Sequence, residues 1–323
     1  MKAIITSKYG PPEILRLEEV EKPVPQDDEI LIKIHAASLN AFDWHLQTAD
    51  IFLVRFMGGG FTKPKNKIPG ADIAGTIEAV GVNVKLFKPG DEIYGDLGSY
   101  NCGGFAEYVC ARETMIARKP SNLSFEDASA VPMAAITALQ GLRDYGQIKP
   151  GQKVLINGAS GGVGTYAVQI AKVFGAEVTA VCSTAKMEIA RSIGSDRVID
   201  YTREDFTKSG LSYDLIFAAN GYHPILNYKR SLGPGGRYVM AGGKASHMFE
   251  ALVLGPFVSM TGNRKMGVVS ASINTKDLDY IRELIEAGRI KPVIDKRFPL
   301  EKLPEALRYL GDGHAAGKVV INI

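Results

Sequence analysis

The sequence predicts an α/β protein in two parts, a compact β-rich domain followed by a doubly wound parallel sheet of six strands. Three observations predict it. Near Ser124 the rhythm changes from short alternating runs between Gly, Pro, Asn and Asp clusters to longer apolar runs alternating with helical patterns. A glycine turn, NGASGGVG at 157–164, sits between an apolar strand and a helical pattern almost halfway along the 323 residues. After Asn274 the chain reads helix, strand, helix, strand, and adds no further βαβ unit.

In the first part the strands are EILIKIHAASL (29–39), ADIAGTIEAVG (71–81), DEIYGDL (91–97) and GGFAEYVCA (103–111). In the second they are KVLING (153–158), EVTAVC (177–182), RVIDY (197–201), YDLIFAAN (213–220), GRYVMAGG (236–243) and GVVSASI (267–273). Helices are expected at 164–174, 185–193 and 224–232, and TKDLDYIRELIEAG (275–288) is a further helix stopped by Gly288. The domains are therefore 1–123, completed by 275–323, and 124–274.

Composition excludes several function classes. With 38 basic and 35 acidic residues, no clustered basic stripe marks a nucleic-acid binder. The start, MKAIITSKYGPPEILRLEEV, alternates like a strand and lacks signal- or transit-peptide character, and no run is long and apolar enough to span a membrane. Three cysteines, Cys102, Cys110 and Cys182, are too few for a disulfide framework. A cytoplasmic location is expected.

The glycine turn carries the first chemistry. A dinucleotide site needs a tight strand-to-helix turn, close backbone approach to the pyrophosphate and a helix N-terminus aimed at it. Ala159, Gly161 and Gly164 occupy the GxGxxG positions, so Ser160, Gly161, Gly162, Val163 and Gly164 are the expected pyrophosphate binders. The same residues fit the short-chain dehydrogenase turn through Gly158, Gly162 and Gly164, but the one Tyr-x-x-x-Lys pair, Tyr145 with Lys149, lies upstream and excludes that reading. Where an acid about 20 residues on would take the ribose hydroxyls of NAD, the chain has CSTAK, 182–186. Ser183, Thr184 and Lys186 there are donors suited to a 2′-phosphate, which makes NADPH the expected cofactor; the bland alternative is a solvated lysine opening a helix. Tyr201 is placed on the adenine side or is a strand-end aromatic. Asn220 in FAANG and Gly242 in MAGG end successive strands where the nicotinamide half belongs.

SLNAFDWHLQ (38–47), IPGADIAGTIEAVG (68–81), GDEIYG (90–95), AVPMAAITALQGL (130–142), the turn and the tail 288–323 together resemble the medium-chain dehydrogenase/reductase superfamily over the whole chain. Within it the chain is most similar to the zinc-independent quinone oxidoreductase branch. LNAFDWHLQ and GHAAGKVVI resemble the subgroup of the chloroplast-envelope quinone oxidoreductase homologue and the reticulon-4-interacting protein. The resemblance implies a GroES-like β domain and a Rossmann domain. It also locates the catalytic zinc ligands of the alcohol dehydrogenases at Asn40, Gly70-Ala71-Asp72 and the Val131/Pro132 region. Asn, Ala and an aliphatic cannot hold that metal. The structural zinc lobe would need four cysteines where GSYNCGGFAEYVCA (98–111) has Cys102 and Cys110, so no metal is expected.

Without a Lewis acid, hydride must go to an acceptor that is already electrophilic, a quinone or an α,β-unsaturated carbonyl (an enone or alkenal). The resemblance sets Asn40 against the nicotinamide ribose and acceptor and Thr137 beside the nicotinamide, with Phe42 replacing the alcohol dehydrogenases' proton-relay hydroxyl. Asn40 also reads as an Asx-type turn residue. His45 is a candidate general acid or a structural turn histidine. Lys318 of GKVV closes over the cofactor or is a surface strand residue. The segment 51–67 reads as a lid, a peripheral membrane contact or a solvated loop. By resemblance a homodimer is expected through GVVSASI. Two rival readings are a non-catalytic NADPH sensor or membrane-surface partner, and a zinc-dependent alcohol dehydrogenase.

Overall fold

The computed structural model describes residues 1–323 except 52–59, 221, 222, 244, 261 and 262. The lid reading of 51–67 therefore falls largely outside the described residues, and within it Phe61, Lys63, Lys65 and Lys67 are exposed. The described chain divides into two compact units: 1–133 with 272–288 and 292–323, and 134–271 with 289–291.

The first unit opens with the hairpin β1 (Lys2–Ile5) and β2 (Arg16–Glu19). Then come β3 (Glu29–Leu39), α1 (Ala41–Thr48), β4 (Asp72–Val80), β5 (Glu92–Asp96), β6 (Tyr108–Arg112), β7 (Ile116–Arg118) and α2 (Phe125–Ser129). Strand β3 is the spine: Ile30, Ile32 and Ile34 alternate onto one face and pack with Ile73, Ile77, Ile93, Val109 and Ile116. Each such fully buried side chain contributes about 1.5–3 kcal/mol. Its other face places Ala37 and Leu39 against the later helix and strand of the same unit.

The second unit is built as follows. Helix α3 (Pro132–Gln140) leads into it, and then come β8 (Lys153–Asn157), α4 (Gly162–Val173), β9 (Glu177–Cys182), α5 (Met187–Ser192), β10 (Arg197–Asp200), β11 (Tyr213–Ala218), α6 (Ile225–Arg230), β12 (Leu232–Met240), α7 (Ala245–Met260) and β13 (Lys265–Val268). All six strands are parallel in the order β10-β9-β8-β11-β12-β13, so the winding reverses between β8 and β11. That order, 3-2-1-4-5-6 within the sheet, is the doubly wound dinucleotide-binding arrangement, and its switch point lies where the glycine turn leaves β8.

The chain then returns to the first unit as α8 (Thr275–Glu286), β14 (Ile294–Pro299), α9 (Leu303–Gly311) and β15 (Lys318–Asn322). Strand β15 lies between β14 and β3 in a mixed sheet ordered β14-β15-β3-β4-β5-β7, with β6 also paired to β3. Asn274 caps α8 by accepting the Asp277 N–H at 2.8 Å.

Three features differ from the sequence reading. Residues 124–133 pack with the first unit, because the Ser129 carbonyl accepts the Ser38 hydroxyl at 2.8 Å and the Met133 N–H donates to Asp72 at 3.0 Å. The last strand of the parallel sheet ends at Val268 instead of running through 273. The Tyr145 hydroxyl takes both backbone groups of Ser270 at 3.2 Å and turns the chain out of the ladder. Finally, the 16-residue α7 is an element the sequence reading does not contain.

Candidate active site

The glycine turn in the second unit is built by sterics. Gly158 has φ +81°, and a Cβ there would lie 2.9 Å from the Asn220 Cβ and 3.0 Å from its N. A Cβ on Gly164 would meet the Gly158 carbonyl oxygen at 2.0 Å, so the first turn of α4 presses directly on the chain leaving β8. Gly161 is different: it is the N-cap of α4, and a Cβ there would approach only the Gly158 oxygen, at 3.7 Å. The space in front of it is free for a ligand. Gly161, Gly162 and Val163 are half-exposed while Ser160 is buried, and the first-turn N–H groups have no partner inside the helix. This geometry fits a pyrophosphate. The Asn157 side chain donates to the Asn220 carbonyl at 3.2 Å and to the Tyr228 hydroxyl at 2.8 Å, which joins the ends of β8 and β11.

Ser183, Thr184 and Lys186 follow β9 in a single helical turn, with Thr184 exposed and the other two half-buried. The sequence reading finds no carboxylate here, and the structure corrects it. Asp200 ends β10 directly opposite Cys182, and its carboxylate accepts the Thr184 hydroxyl, the Thr202 N–H at 2.9 Å and the Thr202 hydroxyl at 2.7 Å. The hydrogen bond from Thr184, then those from Thr202, hold this carboxyl below its ordinary range. The Thr184 proton is thus already engaged. Tyr201 follows, half exposed, its N–H on the Cys182 carbonyl at 3.1 Å. Gly242 is half-buried with its backbone close over Ala219, where a Cβ would meet the carbonyl oxygen at 2.7 Å.

The first unit contains a buried polar cluster centred on Asp72. Its Oδ1 accepts the Met133 N–H; its Oδ2 accepts from Asn40 Nδ2 at 2.9 Å, Lys318 Nζ at 3.1 Å and Ser38 Oγ at 3.2 Å. Lys318 Nζ also donates to Asn40 Oδ1. Lys318 is 2 % exposed and Asp72 0 %, so the surface-strand alternative for Lys318 is overturned. The ammonium fixes the Asn40 amide, since turning it over would set its NH₂ against the charge. Among the described residues, the second Nδ2–H of Asn40 has no partner. Asp43 braces the start of α1 by accepting the Asn40 N–H at 2.8 Å on one oxygen, while its other oxygen is buried with no partner. Burial pushes its carboxyl up to about 7, against the Asn40 hydrogen bond and with help from the nearby Asp72 charge. Burial and the Asp72 charge likewise raise Asp96, which faces Asp72 across β4 and β5.

Asn40 and Lys318 are thus brought together through Asp72. His45 is not part of that cluster: its Nδ1 lies 2.8 Å from Asp50 Oδ1, and Trp44 Nε1 donates to the other Asp50 oxygen at 3.2 Å. Trp44 itself packs on Gly311, where a Cβ would intrude to 2.2 Å. Thr137 is half-buried on α3, one helical turn from Met133. Ser38 and Asp96 escaped the sequence reading, because only strand register brings them to Asp72.

A catalytic zinc does not fit these residues. The Asp72 oxygens are all engaged, Asn40 is an amide, and the cation beside them is the Lys318 ammonium. Among the described residues no group of three or more His, Cys, Asp or Glu side chains is arranged to hold a metal ion. Also among the described residues, no helix is long and apolar enough to cross a membrane.

Two family models match the chain, one described as alcohol dehydrogenase GroES-like domain over 26–121 and one described as zinc-binding dehydrogenase over 193–321. The chain is 36 % identical to 2-methylene-furan-3-one reductase of Solanum lycopersicum, over 100 % of its own length and 79 % of that protein's. It is 34 % identical to the chloroplastic quinone-oxidoreductase QR1 of Triphysaria versicolor, over 99 % and 98 %. The solved quinone oxidoreductase from Coxiella burnetii superposes with a TM-score of 0.89 at 29 % identity, covering 100 % of this chain and 99 % of that one.

Proposed function

We propose, for a chain that belongs to the medium-chain dehydrogenase/reductase superfamily and its quinone oxidoreductase branch, that this oxidoreductase uses NADPH to reduce an electrophilic acceptor without zinc. The acceptor class is a quinone or an α,β-unsaturated carbonyl. The observation that carries the reading is the Asn40–Lys318–Asp72 cluster, which puts an amide locked by an internal ammonium where the family's metal ligand belongs. An acceptor handled by such a site must be activated by its own conjugation.

Ser160, Gly161, Gly162, Val163 and Gly164 would hold the pyrophosphate, Ser183 and Lys186 the 2′-phosphate, with Tyr201 toward the adenine and Asn220 and Gly242 toward the nicotinamide. When bound, NADPH supplies a hydride. Asn40 would direct an N–H to the oxygen on which charge develops, and Lys318, donating to its Oδ1, would keep that amide from rotating. His45, whose Nδ1 lies against Asp50, would be the proton donor, and Thr137 would lie beside the nicotinamide. The relatives' names, one a furanone reductase and the other a quinone oxidoreductase, support the two acceptor types.

The test is transfer of deuterium from stereospecifically labelled NADPH by chelator-treated protein to a panel of quinones and short- and long-chain enones. Label in the product with rates unchanged by metal removal is the expected result. Tight NADPH binding with no label transferred to any acceptor would instead establish a sensor.

A further inference from the structure

The turn that ends α1 is built around one carboxylate. Ala49 takes the left-handed conformation, φ +49°, and its N–H closes the helix on the His45 carbonyl at 2.9 Å. In a continuing helix residue 50 would stand about 140° round from residue 45. The reversal at Ala49, which an alanine adopts only at a cost in backbone energy, instead brings Asp50 back onto the helix. Its Oδ1 lies 2.8 Å from His45 Nδ1 and accepts the Ile51 N–H at 2.9 Å, while its Oδ2 accepts Trp44 Nε1 at 3.2 Å.

Trp44, the chain's only tryptophan, is seated on Gly311 of α9, where a Cβ would overlap the ring, so the indole N–H is a fixed point for the carboxylate. Partial burial works against ionisation of Asp50, but the hydrogen bonds from His45, Trp44 and Thr48 outweigh it and hold the carboxyl below its ordinary range. A carboxylate only accepts, and Nδ1 must therefore be the donor. That assigns the ring: a neutral His45 carries its hydrogen on Nδ1, and a second proton can sit only on Nε2. Among the described residues Nε2 makes no hydrogen bond, and the side chain is 29 % exposed, so water reaches it.

We infer that Asp50, braced by Trp44, is the positioning residue of the proton donor: it holds the His45 ring by Nδ1 and leaves Nε2 as the one nitrogen able to give a proton up. The inference rests on the reading of His45 as that donor. In the reduction a hydride from the reduced nicotinamide reaches the acceptor carbon, the Nε2–H bond breaks, and its proton joins the atom that has taken up the charge. The electron pair of that bond stays on Nε2, Nδ1–H stays on Asp50, and water reloads Nε2. The negative charge of Asp50 faces the positive charge that the ring carries before the transfer.

The experiment pairs nitrogen NMR of histidine-labelled full-length protein with steady-state kinetics on the wild type, Asp50→Asn, Asp50→Glu, Trp44→Phe and His45→Gln. Of the five histidines, His45 is the one whose signal His45→Gln removes. At alkaline pH the wild-type ring should be the Nδ1–H tautomer, and Asp50→Asn should convert part of it to Nε2–H. With NADPH and a quinone or enone, Asp50→Asn should lower kcat about tenfold or more and leave the acceptor KM within about twofold. Trp44→Phe should show the same pattern more weakly, and Asp50→Glu should recover part of the rate. A wild-type His45 in the Nε2–H tautomer, or an Asp50→Asn rate equal to wild type while His45→Gln is slow, would overturn the inference alone. An unchanged rate in His45→Gln, or no turnover of any acceptor, would overturn the reading of His45 as donor and the inference with it.

Discussion

Lys318 and Asp72, 246 positions apart in sequence, form an ion pair of 3.1 Å in which both side chains are sealed from solvent. Such a pair is a poor source of net stability and a severe loss when halved, because the survivor is a buried, unmatched charge. Lys318→Met should therefore cost about 3–5 kcal/mol. Adding Asp72→Asn should recover much of that stability. Activity should not return with it, because the amide of Asn40 is no longer held. Urea denaturation and steady-state rates on the same three proteins check both halves.

Two glycines of the same turn, Gly161 and Gly164, behave differently in space. Gly164→Ala forces a methyl into the Gly158 carbonyl and should destabilise by about 1–3 kcal/mol or more. Gly161→Ala makes only an ordinary contact with the Gly158 oxygen at 3.7 Å, so stability should change by no more than about 0.5 kcal/mol while NADPH affinity falls. Thermal melts with and without NADPH separate the two outcomes.

At the adenosine corner, Asp200→Asn removes a negative charge one hydrogen bond from Thr184. Affinity for NADPH should rise several-fold, about 1 kcal/mol, with little change for NADH. Lys186→Ala should shift the preference the other way. Binding titrations with both cofactors read the ratio.

Asp43 supplies a pH prediction. Its carboxyl titrates near 7 in the folded chain, well above its unfolded value, so the native state holds this proton more tightly. The stability this adds is complete below the unfolded pKa and is lost as pH rises toward and through 7. Asp96, also raised, slopes the same way, whereas carboxyls held down by their partners, such as Asp196 and Asp200, slope the opposite way, so the measurable quantity is a difference. Relative to Asp43→Asn, the wild type should lose up to a few kcal/mol between pH 4 and 8. Parallel stability curves for the two proteins would refute the assignment.

Legibility followed the range of the interactions. The turn at 157–164 was readable because its requirements, an apolar strand, small residues and a helix, are all local. Asp200 was invisible to a rule that counts along β9, since it arrives from the neighbouring strand. Lys318 could be guessed to matter, but its burial depends on β15 lying between β14 and β3. Helix α7 was missed because it is apolar nearly all round, so no 3.6-residue period stands out.

The placement of β15 inside the first unit's sheet also orders events in time. Residues 134–271 pair all six of their strands with one another, so a growing chain can complete that sheet on its own. The first unit cannot follow suit, although most of it is synthesised earlier, because β3 awaits β15 along one edge and Asp72 awaits the ammonium of Lys318. Domains generally form in the order they are made. Here the strand pairing lets the later-made unit complete its sheet first, while Asp72 of the earlier one waits for a counter-ion that is synthesised only five residues before Ile323.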